Sequence, residues 1–229
     1  MVKSENGLAT PAAVSSQERM ESRPRVGVEY YGMLNLNRPE RHSDLFFWQR
    51  SALKGSDVLL TLSVPSLKLS AQDWADLREH NIETVLLHPG AAGTPSVPVF
   101  KHRRSLSQPG TRKLSVKGNG SEKDWLNRQL ANYQAVRAFW TDLSSSYNLK
   151  VYVTWYKFNE IHCAIADALQ STGGVIAIYQ RAYEAQSSSI TTISSDIVFG
   201  FSREVAEVER RSNSNIRYHA TTGYLGDHR

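Results

Sequence analysis

Residues 57–88, DVLLTLSVPSLKLSAQDWADLREHNIETVLLH, indicate the fold class more clearly than any other stretch of the chain. The apolar run at residues 57–64 is typical of a buried strand, and residues 82–88 are a second run of the same kind. Between them, Ser70 followed by Asp73 forms a capping box, which predicts the start of a helix. A strand, a helix and a strand within about thirty residues are typical of a βαβ unit.

The same alternation continues on both sides of this unit. Residues 26–36 are predicted as a strand, and residues 44–53 as a helix that Ser43 caps and Gly55 ends. Farther along, the run Ser121-Glu122-Lys123-Asp124 predicts the start of the longest helix. The apolar stripe of that helix consists of Leu126, Leu130, Tyr133, Val136 and Trp140.

The last third of the chain follows the same pattern, and it completes the predicted architecture. Its predicted strands are residues 149–156, 175–179 and 190–201. One predicted helix begins at residue 161 and ends before Gly173-Gly174, and two more occupy residues 181–185 and 202–210. Most of these strands are apolar with little alternation, which indicates burial on both faces. We therefore expect an α/β fold, a mostly parallel or mixed sheet covered by helices, in a single domain over residues 26–210. A disordered tail, residues 1–25, and a basic tail, residues 211–229, flank it.

Charge is distributed unevenly along the chain. Residues 101–123, named here the basic segment, hold seven Lys or Arg residues against the single acid Glu122, a net charge of +6, whereas the whole chain carries +5. Residues 1–25 add +1 and residues 210–229 add +3, which leaves −5 on the body. The segment is rich in Gly and Ser, so we expect a mobile, solvated loop. Flexible cationic parts on an acidic body are suited to polyanions.

Nucleic-acid binding without enzymatic activity is therefore the leading hypothesis, with RNA favoured over DNA. Tyr152 and Tyr156 share one face of a predicted strand, where bases stack on aromatic rings; the alternative is a strand buried beneath helices. Phosphate contacts carry no base information, so binding is expected to be largely independent of sequence. A viral RNA-associated protein fits this pattern. The expected phosphate contacts are Lys101, Arg103, Arg104, Arg112, Lys113 and Lys117, joined by Arg210, Arg211 and Arg217.

Two other classes of protein stay open. In a small α/β enzyme, His88 at the end of a buried strand and Asp196 would form a catalytic site, with the basic segment as a lid over an anionic substrate. In a phosphorylation-regulated interaction or assembly module, Ser107 and Ser115 would be modified, since each follows an Arg by three residues. Two phosphates would cancel most of the charge of the basic segment.

The remaining features exclude several functions. Neither the G-x-x-x-x-G-K-[ST] nor the G-x-G-x-x-G motif occurs, so a nucleotide cofactor is not expected. Cys163 is the only cysteine, which excludes a multi-Cys zinc site and an intrachain disulfide, and we expect it to be buried; no metal is expected. Without a long apolar run or a secretory signal, we expect no membrane partner and a cytoplasmic protein, with the nucleus or a virion as alternatives. A homo-oligomer stays open.

Overall fold

The computed structural model describes residues 23–38, 41, 43–48, 51–63, 68–87, 99–101, 119–155, 161–180 and 186–223. Within these ranges the strands are β1 Arg25–Glu29, β2 Val58–Leu62, β3 Glu83–Leu86, β4 Leu149–Thr154, β5 Val175–Tyr179, β6 Ser194–Gly200 and β7 Asn215–Thr221. They form one seven-stranded sheet in the order β3-β2-β1-β4-β5-β6-β7, and every neighbouring pair is parallel. The predicted α/β fold is confirmed.

Four α-helices lie in the described ranges: α1 Ala71–Glu79, α2 Gly120–Tyr147, α3 Ile161–Ser171 and α4 Arg203–Arg211. The capping box predicted for α1 is present, because the Ser70 hydroxyl accepts the N–H of Asp73 at 3.1 Å and the Asp73 carboxylate accepts the N–H of Ser70 at 2.8 Å. For α2 the predicted cap is wrong by two residues. Asn119, not Ser121, caps the helix, since its side-chain oxygen accepts the N–H of Glu122 at 2.9 Å.

The chain reverses its direction of travel across the sheet once. From β1 it adds β2 and then β3 on one side, and α2 then carries it back to β4, on the other side of β1. From β4 onward each strand pairs with the next strand in sequence, out to β7 at the edge. The reversal point therefore lies between the carboxyl ends of β1 and β4, the place where open α/β sheets bind ligands.

Each face of the sheet has its own apolar core. On one face, the residues after β1 and the helix α1 cover the sheet, with Tyr30, Leu45 and Leu77 buried against Val28 and Leu60. On the opposite face, α2 and α3 pack against β4 and β5; the buried residues there include Trp140, Leu143, Ile165, Leu169, Tyr152 and Ile176. Together the two cores explain why most of the strands lack an alternating polar pattern.

The helix predicted for residues 44–53 is wrong over its described part, since residues 44–48 form turns. Ser43 does not cap a helix; its hydroxyl donates to the carbonyl of Leu34 at 2.5 Å. The Asp44 carboxylate accepts the N–H groups of Tyr31 and Met33, at 2.8 and 3.1 Å. These long-range bonds fix an irregular cover over the sheet, and local propensity does not decide its shape.

The prediction of a basic tail at residues 211–229 is wrong over β7. This strand pairs with β6 from Ser194↔Asn215 to Gly200↔Thr221. The strand predicted for residues 190–201 is also shorter, because Ser189–Thr191 form a 3-10 turn. The predicted helix at 181–185 and the tail residues 1–22 and 224–229 lie outside the described residues.

Candidate functional site

The two ends of the basic segment are attached to the folded body. Near its first residue, Val99 forms a parallel bridge with Leu86, and the N–H of Phe100 donates to the carbonyl of Leu86 at 2.9 Å. Lys101 follows directly and is exposed, at the side of the sheet formed by β3. At the other end, Asn119 caps α2. The remaining predicted site residues of this region lie outside the described residues: Arg103, Arg104, Arg112, Lys113, Lys117 and, before the segment, His88.

Tyr152 does not lie on an open face. Its side chain is 1% exposed, its ring meets Trp140 of α2 at a centroid distance of 4.6 Å, and its hydroxyl shares a hydrogen bond of 3.2 Å with Thr61. Burial raises the pKa of Tyr152 well above its ordinary value, so the hydroxyl stays protonated. The prediction that bases stack on Tyr152 is therefore wrong, because α2 occupies that face. Tyr156 lies outside the described residues.

The three arginines predicted to assist the basic segment lie elsewhere. Arg210 and Arg211 are in the last turn of α4, which runs from the end of β6 to the start of β7, and both contact Glu207. They therefore lie at the amino edge of the sheet, near β7. Lys101 follows the carboxyl end of β3, six strands away, which is about 29 Å at 4.8 Å per strand. Arg210 and Arg211 therefore lie far from Lys101.

Asp196 is buried, and its contacts link neighbouring elements of the fold. It lies in the middle of β6, 2% exposed, and its carboxylate accepts the N–H of Ile176 at 3.0 Å and the side-chain amide of Gln170 at 3.2 Å. Arg217 of β7 forms an ion pair with it at 3.3 Å. The predicted catalytic role of Asp196 is therefore not supported, because this carboxylate joins β5, β6, β7 and α3 instead of facing the strand ends.

The reversal point between β1 and β4 carries one carboxylate, Glu29, that joins three strand ends. It accepts the hydroxyls of Tyr31 at 2.7 Å, Ser63 at 2.6 Å and Thr154 at 3.0 Å. Burial, together with the Glu29 charge, raises the pKa of the Tyr31 hydroxyl, which keeps it a donor. The Tyr31 ring also packs edge-on against Trp155, with a centroid distance of 4.3 Å. The three hydroxyls compensate the carboxylate and tie the strand ends together.

The amino-terminal turns of α2 extend past the described part of the neighbouring helix, α3. Both α2 and α3 run from the carboxyl edge of the sheet to its amino edge, and the Tyr133 hydroxyl donates to Asp167 of α3. Asp167 is six residues from the start of α3, whereas Tyr133 is thirteen residues from the start of α2. About seven residues of α2, roughly 10 Å at 1.5 Å per residue, therefore project beyond Ile161, the first described residue of α3.

Trp125 lies on this projecting part, and its side chain is 54% exposed. The predicted apolar stripe is confirmed as the inward side of α2, since its five residues are buried or half-buried. Trp125 lies off that stripe, and Asp124 separates it from the last residue of the basic segment, Lys123. The sequence therefore contains a signal for an exposed aromatic ring near the cations, because Trp125 lies off the apolar stripe of a predicted helix and not on a predicted strand.

The structure also bears on the predictions about the cysteine, metal ions and the membrane. Cys163 is exposed on α3, so the prediction of a buried cysteine is wrong. Among the described residues, no three His, Cys, Asp or Glu side chains lie close enough to hold a metal ion. None of the described helices is both long and apolar enough to span a bilayer.

Comparisons of the chain with protein-family models, with curated proteins and with solved structures found no match. The geometry of the described residues and the charge pattern of the sequence therefore carry the functional argument.

Proposed function

We propose that the chain binds RNA, without enzymatic activity and largely independently of sequence, through the basic segment and the adjoining start of α2. The observation that supports this proposal most is the charge segregation: the segment carries +6, more than the +5 of the whole chain. Its two ends are held by the backbone bond of Phe100 to Leu86 and by the cap of α2. Cations gathered in one segment of an otherwise acidic body attract phosphates without needing a shaped pocket.

The proposed surface is smaller than the one predicted from the sequence. It keeps Lys101 and the cations of the segment, and it adds the projecting turns of α2. It leaves out Tyr152, which is buried, and it leaves out Arg210 and Arg211, which lie at the opposite edge. Arg217 is also left out because it pairs with Asp196.

The test is RNA affinity measured against salt concentration, for the wild type and for a charge-neutralised variant. In that variant Lys101, Arg103, Arg104, Arg112, Lys113 and Lys117 are changed to Gln. Each phosphate contact on a single strand lowers the logarithm of the binding constant by about 0.7 per tenfold rise in salt. We expect the wild type to show a steep dependence and the variant to lose most of it.

The matched control changes Arg210 and Arg211 to Gln, which removes two exposed cations at the far edge of the sheet. This control is expected to keep the affinity and the salt dependence of the wild type. Equal losses in both variants would point to nonspecific attraction by net charge. An unchanged affinity in the six-residue variant would refute the proposal.

A further inference from the structure

Trp125 is one of four large apolar side chains that are exposed among the described residues. A tryptophan buries a large apolar area when a partner is present, so leaving more than half of it in water forgoes that stabilisation. Its exposed fraction is 54%, whereas Trp140 and Trp155 are each 6% exposed. The buried and half-buried stripe of α2 begins at the next residue, Leu126, and does not include Trp125. The fold therefore does not require an aromatic residue at position 125.

The neighbours of Trp125 on the helix surface are planar and polar. Residues three, four and seven positions farther along a helix lie on the same side of it. Here these residues are Arg128, Gln129 and Asn132, and all three are exposed. Guanidinium and amide groups can pair with phosphates and with the edges of bases. Together with Trp125 they form an exposed face about 10 Å long, named here the α2 face.

Two acids lie beside this face: Asp124, which is exposed, directly precedes Trp125 and lies four residues before Arg128, and Glu122 belongs to the helix cap. Glu122 lies three residues before Trp125, and its carboxylate accepts the N–H of Asn119 at 3.0 Å as part of the helix cap. A cation, Lys123, lies between them and is exposed. The last four residues of the basic segment, 120–123, form the first turn of α2, so the loop predicted for 101–123 ends by residue 119. The charges of Glu122, Lys123, Asp124 and Arg128 cancel, so the positive charge that favours a polyanion over an acidic or an apolar protein surface comes from residues 101–117, which hold six Lys or Arg residues and no acid.

We infer that the α2 face is a base-stacking platform, with Trp125 as the stacking residue, so that the ligand is single-stranded nucleic acid. This inference rests on the function proposed above and makes its ligand class specific. Stacking on an aromatic ring needs an unpaired base, because the faces of a paired base are occupied within the duplex. Arg128 supplies a contact to the neighbouring phosphate or a second planar surface for a base.

The test compares three probes: a short oligouridylate, the same strand annealed to oligoadenylate, and inorganic polyphosphate of equal charge. Trp125→Leu keeps a helix-forming apolar residue but removes the ring. We expect it to weaken binding of the oligouridylate by roughly 5- to 100-fold, while binding of polyphosphate and the salt dependence stay unchanged. Trp125→Phe restores most of the affinity because it keeps a stacking surface.

A matched control removes another exposed ring. Tyr218 on β7 is 70% exposed, and its register with Ile197 places it on the face of the sheet opposite α2. Tyr218→Leu is expected to leave binding of all three probes unchanged. Circular dichroism of each variant confirms that the helix content is kept.

The possible outcomes separate this inference from the proposed function. If wild-type protein binds none of the three probes, the proposed function fails. If it binds all three in a salt-dependent way but Trp125→Leu binds the oligouridylate as tightly as wild type does, the stacking platform is refuted and the polyanion function stands. Equal weakening toward polyphosphate would likewise refute stacking, since polyphosphate has no bases.

Discussion

Gly27 of β1 lies against two side chains of β4, Tyr152 and Leu149. A Cβ atom at this position would lie 2.9 Å from the Tyr152 ring and 3.4 Å from the Leu149 side chain. The ring cannot move aside easily, because Trp140 packs against it and Thr61 holds its hydroxyl. We expect Gly27→Ala to lower the free energy of unfolding by about 1–3 kcal/mol through overpacking, as measured by urea denaturation.

Gly120 provides the control for that prediction. It is the first residue of α2, and a Cβ atom there meets nothing within 4 Å. Gly120→Ala should therefore not lower the free energy of unfolding, and it should raise it by up to about 1 kcal/mol because alanine restricts the unfolded chain more than glycine does. Equal destabilisation by both substitutions would contradict the tight approach of β1 to Tyr152.

At the scale of the element, two substitutions test whether Asn119 or Ser121 caps α2. Asn119→Ala removes the acceptor for the N–H of Glu122, which costs a helix start about 1 kcal/mol. Amide exchange of residues 122–125 should accelerate by about fivefold, measured by hydrogen exchange with NMR detection. Ser121→Ala should have a smaller effect, because the Ser121 hydroxyl only donates to the Asn119 side chain. The opposite ranking would restore Ser121 as the cap.

Elements governed by local chemistry could be predicted from the sequence. The Ser70 capping box and the strand at residues 175–179 are confirmed, since a cap and a buried apolar run act within a few residues. The helix at residues 44–53 was wrong because Asp44 bonds to the backbone after β1, a long-range contact. β7 was missed because its sequence, NIRYHAT, has little apolar character and forms only by pairing with β6.

Part of the candidate site could likewise be predicted from the sequence, and part depends on long-range packing. The cations of the basic segment can be read from sequence, because charge does not depend on the fold. The sequence does not decide whether Tyr152 or Trp125 is the stacking residue, because the sequence pattern of a strand is the same whether or not a helix covers its face. Here α2 covers Tyr152 and leaves Trp125 exposed.

At the scale of the whole molecule, tyrosine burial makes the fold sensitive to alkali. Burial raises the pKa of Tyr30 to about 12, and burial together with the Asp167 contact raises that of Tyr133 to about 12. A raised pKa means that the folded state holds the proton more tightly than the unfolded state, whose value is 10. The stabilisation is therefore complete below pH 10 and is lost as the pH rises toward 12.

Urea denaturation at a series of pH values should show this loss of stability, and ultraviolet difference absorption should show tyrosines that ionise only above pH 10. Tyr133→Phe, which cannot ionise at that position, should lose less stability over the same interval. A stability that stays constant from pH 10 to pH 12 would contradict the raised pKa values.

The reversal of the chain between β1 and β4 determines how much the length of the intervening chain can change. Glu29 and Thr154, which meet at this junction, are 125 residues apart along the chain. Forming the junction from the unfolded chain has an entropic cost that grows only with the logarithm of that separation. Lengthening the intervening chain by a quarter would add about 0.2 kcal/mol. The basic segment lies within this interval, so insertions in it would leave the closure entropy of the sheet almost unchanged.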